Sequence, residues 1–303
     1  MSRWLIHFLA HVCATEPFII PIMSSNPQGI PTIAITVSHN STIRHELVAS
    51  LDLNSNDLLI PGSLMLNRSI ECCVLDSPGR GYCFEVFPEQ IVESDTVVVG
   101  LGYYSGFRRG IDSRSFSILP HSDYGGNALF IDVLPVEELC AESSTLMNIS
   151  TSTDGSFGMI VTVVPEGWPM NWVTQSQTYT TRILLNQIHD NIPGSSFDEL
   201  LAGLRGVGLE VYFDDGPFPR VDSPCDRISL PALKYTLLDW NSPRRAVEFV
   251  LYPEDYASGL VTGGCVLYLQ PCESYSCSIR WNSLRQLVFH SYPNGHAVCD
   301  PLT

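Results

Sequence analysis

The sequence predicts a mostly-β chain, and three observations carry that expectation. Its apolar runs are short and are bounded by Gly, Pro, Ser and Asn, the punctuation of strands and turns. Twenty-one prolines and twenty-two glycines are spread along 303 residues, which leaves little room for long helices. Only one segment carries a full set of helix signals.

Taken in order, Arg3, the apolar stretch Trp4 to Val12 and the small-residue site Val12-Cys13-Ala14 read as a secretory signal over residues 1–14. Strands are expected at Thr32 to Val37, Glu46 to Leu51, Asp57 to Ile60 and Thr96 to Val99. Others are expected at Met159 to Val164, Ala246 to Tyr252 and Cys265 to Leu269. Ser195-Ser196-Phe197-Asp198-Glu199 predicts a capping box, in which Ser195 or Ser196 is answered three residues later by an acid. Leu200, Leu201 and Leu204 give that helix its apolar stripe, and Gly206 and Gly208 stop it. The stretch from Glu142 to Gly158, rich in Ser, Thr and Gly, is the most linker-like. It sets the expected boundary between residues 15–150 and 151–303. No exact internal repeat is visible.

Hydrophobic residues make up 45% of the chain and charged ones 16%, which supports a core and excludes wholesale disorder. A net charge of −16 would repel a phosphate backbone, so nucleic acid is not an expected partner. Lys234 is the single lysine among sixteen cations. No stretch beyond the N-terminus approaches the length of a membrane span.

Ten cysteines lack the spacing of a zinc site, so neither a metal nor a cofactor is expected. Disulfides are the better reading and imply an oxidising compartment. Loss of Cys13 with the signal would leave nine, one of them without a partner. Cys73 and Cys83 are close enough to pair. So are Cys272 and Cys277, although either could instead take Cys299. Sequons at Asn40, Asn67 and Asn148 fit a secreted glycoprotein.

Two catalytic patterns fail on context. Val98-Val99-Gly100-Leu101-Gly102 has the look of a dinucleotide turn, but its third glycine, Gly106, falls one place late. Phe107-Arg108-Arg109-Gly110 then opens no apolar helix. Gly155-Ser156-Phe157-Gly158 lacks the flanking of a serine nucleophile elbow.

Leu47 to Pro61, LVASLDLNSNDLLIP, is the informative stretch. An apolar strand delivers Asp52 into a polar turn, and a second apolar strand leaves from Asp57. A carboxylate there is costly unless paired or hydrogen-bonded, though Asn54-Ser55-Asn56 would also make an ordinary Asx-type turn.

This stretch resembles the first active-site motif of the pepsin family of aspartic peptidases, in which Asp-Thr-Gly-Ser-x-x-Leu-Trp-Val-Pro follows two apolar residues. Asp52 to Pro61 aligns with it without a gap. Further likenesses lie at Gly29 to Val37, Gly100-Leu101-Gly102 with Ser115 to Leu119, and Leu284 to Phe289. Cys225 to Pro231, Pro253 to Tyr256 and Cys265 are similar to the family's C-lobe disulfide segment. The resemblance covers most of residues 29 to 299. It implies a two-lobed pepsin-like (acid protease) fold with a central cleft, Asp52 as the first dyad carboxylate, and a Cys225–Cys265 bridge.

The same comparison exposes departures. Counting back from Pro193 places Ile183-Leu184-Leu185-Asn186-Gln187 where the second motif should lie, with Leu184 at the Asp position. Asp190 is too close to the proline, and Asp214 in Phe213-Asp214-Asp215-Gly216 comes after the helix. Leu53 replaces the family's threonine and Asn54 its glycine. Between Cys83 and Gly100 there is no flap tyrosine beside glycines, and Tyr82 and Tyr103 fall on the wrong sides. The expectation is therefore a secreted, monomeric, non-catalytic member with a peptide-binding cleft. The alternatives are an active acid endopeptidase using Asp52 with an unassigned carboxylate, and a secreted inhibitor or binding protein using its outer loops.

Overall fold

The computed structural model describes residues 18–23, 30–39, 43–53, 55–64, 68–75, 81–102, 104–110, 115–121, 126–131, 139–141, 147–150, 157–164, 179–185, 187–213, 216–238, 246–261, 263–272, 276–292 and 295–301. Short strands dominate, as the punctuation of the sequence predicts. The chain forms β1 (Phe18–Pro21), β2 (Thr32–His39), β3 (Ile43–Asp52), β4 (Leu58–Ile60), β5 (Ile70–Leu75), β6 (Gly81–Val86), β7 (Ile91–Glu93) and β8 (Val98–Gly100). Helix α1 (Gly106–Gly110), β9 (Phe116–His121), β10 (Gly126–Ile131), β11 (Met147–Ser150), β12 (Phe157–Val164), β13 (Tyr179–Leu184) and β14 (Asp190–Ile192) follow. Then come α2 (Gly194–Gly206), β15 (Val211–Tyr212), β16 (Arg220–Val221), β17 (Ala232–Leu238), β18 (Ala246–Leu251), α3 (Pro253–Tyr256) and β19 (Ala257–Gly259). The last elements are β20 (Cys265–Leu267), β21 (Leu269–Pro271), β22 (Ser276–Arg280), α4 (Trp281–Leu284), β23 (Val288–Tyr292) and β24 (Gly295–Cys299).

Two seven-stranded sheets share one plan. The first runs β6-β5-β2-β3-β8-β4-β7 and the second β18-β17-β12-β13-β22-β14-β21. Parallel pairs fall at matching places, β3 with β8 and β4 with β7 in one, β13 with β22 and β14 with β21 in the other. A six-stranded sheet, β1-β10-β9-β23-β24-β11, contains strands from both ends of the chain, and β15-β16-β20-β19 forms a small fourth sheet. Period-two alternation fills the cores. Ile33, Ile35 and Val37 turn inward from β2, and Leu233, Tyr235 and Leu237 from β17.

Several expectations need correction. The capping box does not form: Pro193 is the N-cap, without a side-chain cap bond, and Ser195 and Ser196 already lie in the first turn of α2. Proline fixes φ and lacks an N–H, so the chain turns from β14 directly into the helix. The stripe holds, with Phe197, Leu200, Leu201 and Leu204 buried, and Gly208 at φ 86° supplies the left-handed stop. The run Cys265 to Leu269 is two strands, because Tyr268 leaves the ladder and its N–H donates to Tyr256 O at 2.7 Å. The linker-like stretch contains β11, which pairs with β24, and the start of β12. Gly106 to Gly110 does form a short helix, and Phe107 within it is buried.

Among the described residues, four disulfides join Cys73 to Cys83, Cys140 to Cys299, Cys225 to Cys265 and Cys272 to Cys277. Cys299 thus takes Cys140 rather than Cys272 or Cys277. Cys72 is buried and bears a free thiol. Among the described residues, no helix is long and apolar enough to cross a membrane.

Candidate functional site

The site is built from two matching strand-turn-strand units. Asp52 ends β3 and pairs with Gly100 of β8. Leu184 ends β13 and pairs with Arg280 of β22. A constant spacing of 132 positions relates the units: Asp52 to Leu184, Leu58 to Asp190, Pro61 to Pro193. The match extends to β4 and β14, each of which leaves its turn and pairs antiparallel with the same neighbour as in the other unit.

In the first unit the turn lies flat against β8. Gly100 N–H donates to Asp57 O at 2.9 Å, Leu101 N–H to Asp52 O at 2.7 Å and Gly102 N–H to Ser55 O at 2.8 Å. A Cβ at Gly100 would stand 2.5 Å from Ser55 O, so only glycine permits this approach. The glycine motif that imitates a dinucleotide turn is thereby a packing requirement. Tyr104 N–H donates to Asn56 Oδ1 at 2.9 Å, and Gln90 Nε2 reaches Asn56 O at 3.3 Å and Tyr104 O at 2.9 Å. Asp52 is half-buried and Leu53 is buried beneath it. Asn54 lies outside the described residues.

The second unit is wired differently. Arg280 occupies the register position of Gly100 and is fully buried. Its N–H donates to Asp190 Oδ1 at 2.8 Å, its Nη1 to Ile188 O at 2.6 Å, and its Nη2 to Asp255 O. Asp190, fully buried where the first unit has Leu58, also accepts from Ser283 Oγ at 2.6 Å and Tyr235 OH at 3.1 Å. Burial pushes its carboxyl pKa up, while Arg280, Ser283 and Tyr235 oppose that shift. Burial, helped by the Asp190 charge, likewise pushes the Tyr235 hydroxyl well up. A fully buried carboxylate held by three donors beside a guanidinium is a structural anchor rather than a group presented to a reacting water.

Around it, Ser278 Oγ donates to Gln187 Oε1 and accepts from Asn191 Nδ2, both at 2.9 Å. The His189 ring packs on Phe218 at 5.1 Å, and burial lowers its pKa. The sequence gives the positions of Asp52 and Leu184 but misses the Asp190–Arg280 pair. Laying Leu47 to Pro61 over Tyr179 to Pro193 would have set Asp190 under Leu58 and flagged it.

Elsewhere, a hairpin of β5 and β6, bridged by Cys73–Cys83, stands upstream of the Cys83–Gly100 segment. Tyr82 lies on it beside Gly81, but its hydroxyl donates to Phe107 O at 3.1 Å and its ring packs on Phe18 and Phe107. Tyr103, Asp214, Asn40 and Asn67 lie outside the described residues, and of Asn148 only the backbone, in β11, is described. Glu71, Cys73 and Cys83 come together at ligand distances, but the disulfide leaves no thiolate to bind a metal.

The mostly-β chain with paired turn units belongs, by architecture, with pepsin-like folds. The crystal structure of basic 7S globulin from soybean, which has that fold, is similar with a TM-score of 0.60. The likeness covers 95% of this chain and 96% of that one at 11% identity, and is one of fold. No known protein family and no curated protein matches the chain by sequence.

Proposed function

We propose that this chain is a secreted, two-lobed pepsin-like protein that does not hydrolyse peptide bonds and whose central cleft binds an extended peptide or protein segment. One observation carries the reading: in matched registers, Leu184 stands where the first unit has Asp52. Acid proteolysis on this fold needs two carboxylates close enough to share a proton, one acting on water and the other on the substrate carbonyl. Leucine can do neither. Asp190 cannot substitute, being enclosed by Arg280, Ser283 and Tyr235.

The soybean globulin, a pepsin-like-fold protein without protease activity, supports the idea that the fold persists without the chemistry. The lobes would be residues 15–150 and 151–303, with an extended ligand pairing to strand backbone between them. Four disulfides favour an extracellular or lumenal setting, in which Asn40, Asn67 and Asn148 would carry glycans.

The test is an anisotropy titration of extended peptides against wild type and Asp52→Trp, whose bulk would fill the floor of the cleft. Binding by wild type that the folded variant loses supports the reading. Binding that survives in Asp52→Trp moves the partner to the outer loops.

A further inference from the structure

The six-stranded sheet holds a seam between β9, from the N-terminal half, and β23, from the C-terminal half. Phe116 pairs with Ser291, Ser117 with His290 and Ile118 with Phe289. Side chains reinforce the seam on both faces. On one, Ser117 Oγ and His290 Nδ1 lie 2.7 Å apart. On the other, buried Arg108 reaches over from α1, its guanidinium 4.5 Å from the Phe116 ring centroid. Arg108 Nε donates to Leu101 O at 3.1 Å, Nη1 to Ser291 O at 3.5 Å, and Nη2 to Ser291 Oγ. Ser291 Oγ in turn lies 2.9 Å from Nδ1 of half-buried His296 on β24, its register partner.

Arginine only donates, so Ser291 Oγ accepts from Arg108, and in the His296 tautomer that carries its proton on Nε2 the Ser291 O–H donates to Nδ1. That requires an unprotonated Nδ1 and a neutral ring. A proton arriving from solvent at Nδ1 would turn it into a donor. Ser291 Oγ would then face two cationic donors, and its hydrogen would lose its acceptor.

We propose that Arg108, Ser291 and His296 form an acid-sensitive latch across the β9–β23 seam, closed while His296 is neutral and loosened when it is protonated. The surroundings agree. Burial first, then the Arg108 charge and His290, hold the His296 pKa down at about 4. From β23, Tyr292 OH donates to His296 O at 3.4 Å and the Phe289 ring centroid lies 5.1 Å from the imidazole. β11, the other neighbour of β24, carries no ionisable residue.

The sign follows from linkage. A histidine held below its ordinary value of about 6.5 takes up its proton first in the open form. The latch is therefore intact above that value and is lost as pH falls towards 4.

Amide hydrogen exchange of α1 reads the latch, because Arg109 N–H donates to Ser105 O at 3.1 Å within this contact. After correction for intrinsic rates, wild-type protection should fall by up to about tenfold per pH unit between 6.5 and 4, and His296→Gln should remove that dependence. A flat wild-type profile, or a parallel fall in His296→Gln, overturns the proposal. Should the variant fail to fold, carbon-13 NMR titration of His296 in the wild type decides. A ring neutral down to about pH 4, with α1 exchange tracking its protonation, upholds the latch, and a ring titrating above pH 6 overturns it.

Discussion

The backbone N–H of Arg280 donates to the Asp190 carboxylate at 2.8 Å, where its register counterpart Gly100 donates to the Asp57 carbonyl at 2.9 Å. In the second unit a side chain has taken over the backbone's role, and the residue it serves has gained a buried guanidinium. Leu58 and Gly100 in one unit thus correspond to Asp190 and Arg280 in the other, where a buried ion pair stands.

That ion pair predicts strong coupling. Asp190→Leu and Arg280→Met should each cost about 3–5 kcal/mol, since each strands a buried charge. The double variant should cost less than the sum by about 1–3 kcal/mol. Urea unfolding of the four proteins measures this, and simple additivity would refute the coupling.

The pH dependence of Arg280→Met has a defined sign. Burial already raises the Asp190 pKa, and Arg280 opposes that rise. Without the guanidinium the folded form keeps its proton to higher pH than the unfolded chain. Stability of Arg280→Met should therefore fall as pH rises from 4 to 7, more steeply than in wild type. Urea midpoints across that range give the slope, and a variant that gains stability with pH contradicts it.

The same geometry makes Leu184→Asp an insufficient repair. At Gly100 a Cβ would stand 2.5 Å from Ser55 O, and Arg280 carries a Cβ at the matching register. Arg280 therefore cannot take the close approach to a neighbouring carbonyl that Gly100 takes to Ser55 O. Leu184→Asp should yield a folded protein that still fails to cleave casein at pH 3. Cleavage by that variant would show that one side chain was all the site lacked.

Disulfide removal should rank by loop length. The Cys140–Cys299 bridge spans 159 residues and the Cys272–Cys277 bridge 5. Chain-entropy reasoning gives about 5 kcal/mol for the first and about 2 kcal/mol for the second. Paired Cys→Ala variants compared by urea unfolding test the order.

Cys72 should be chemically silent until the fold opens. Burial pushes its thiol up to about 12, so almost no thiolate is present at pH 8. Iodoacetamide and peptide mass mapping should find Cys72 unmodified in native protein and modified in urea. Labelling of the native form would contradict its burial.

Much of this architecture is legible in the sequence, because strand period and turn residues act locally. Thr32 to Val37 alternates towards the core as expected, and Leu200, Leu201 and Leu204 bury as a stripe. What escapes depends on distant partners. The capping box at Ser195 and Ser196 fails because Pro193 already starts the helix. Asp190 is set aside in the sequence as too close to Pro193, and its role shows only when Arg280, ninety positions later, is placed beside it. Arg108 gives no hint in sequence that its partner is Ser291.

The measurement that bears most directly on the central claim is cleavage of an unfolded protein substrate from pH 2.5 to 7, with Asp52→Asn alongside. A folded, secreted sample should produce no cleavage that depends on Asp52 at any pH. Asp52-dependent cleavage peaking in acid would contradict the account and require a second carboxylate, outside the first unit, facing Asp52.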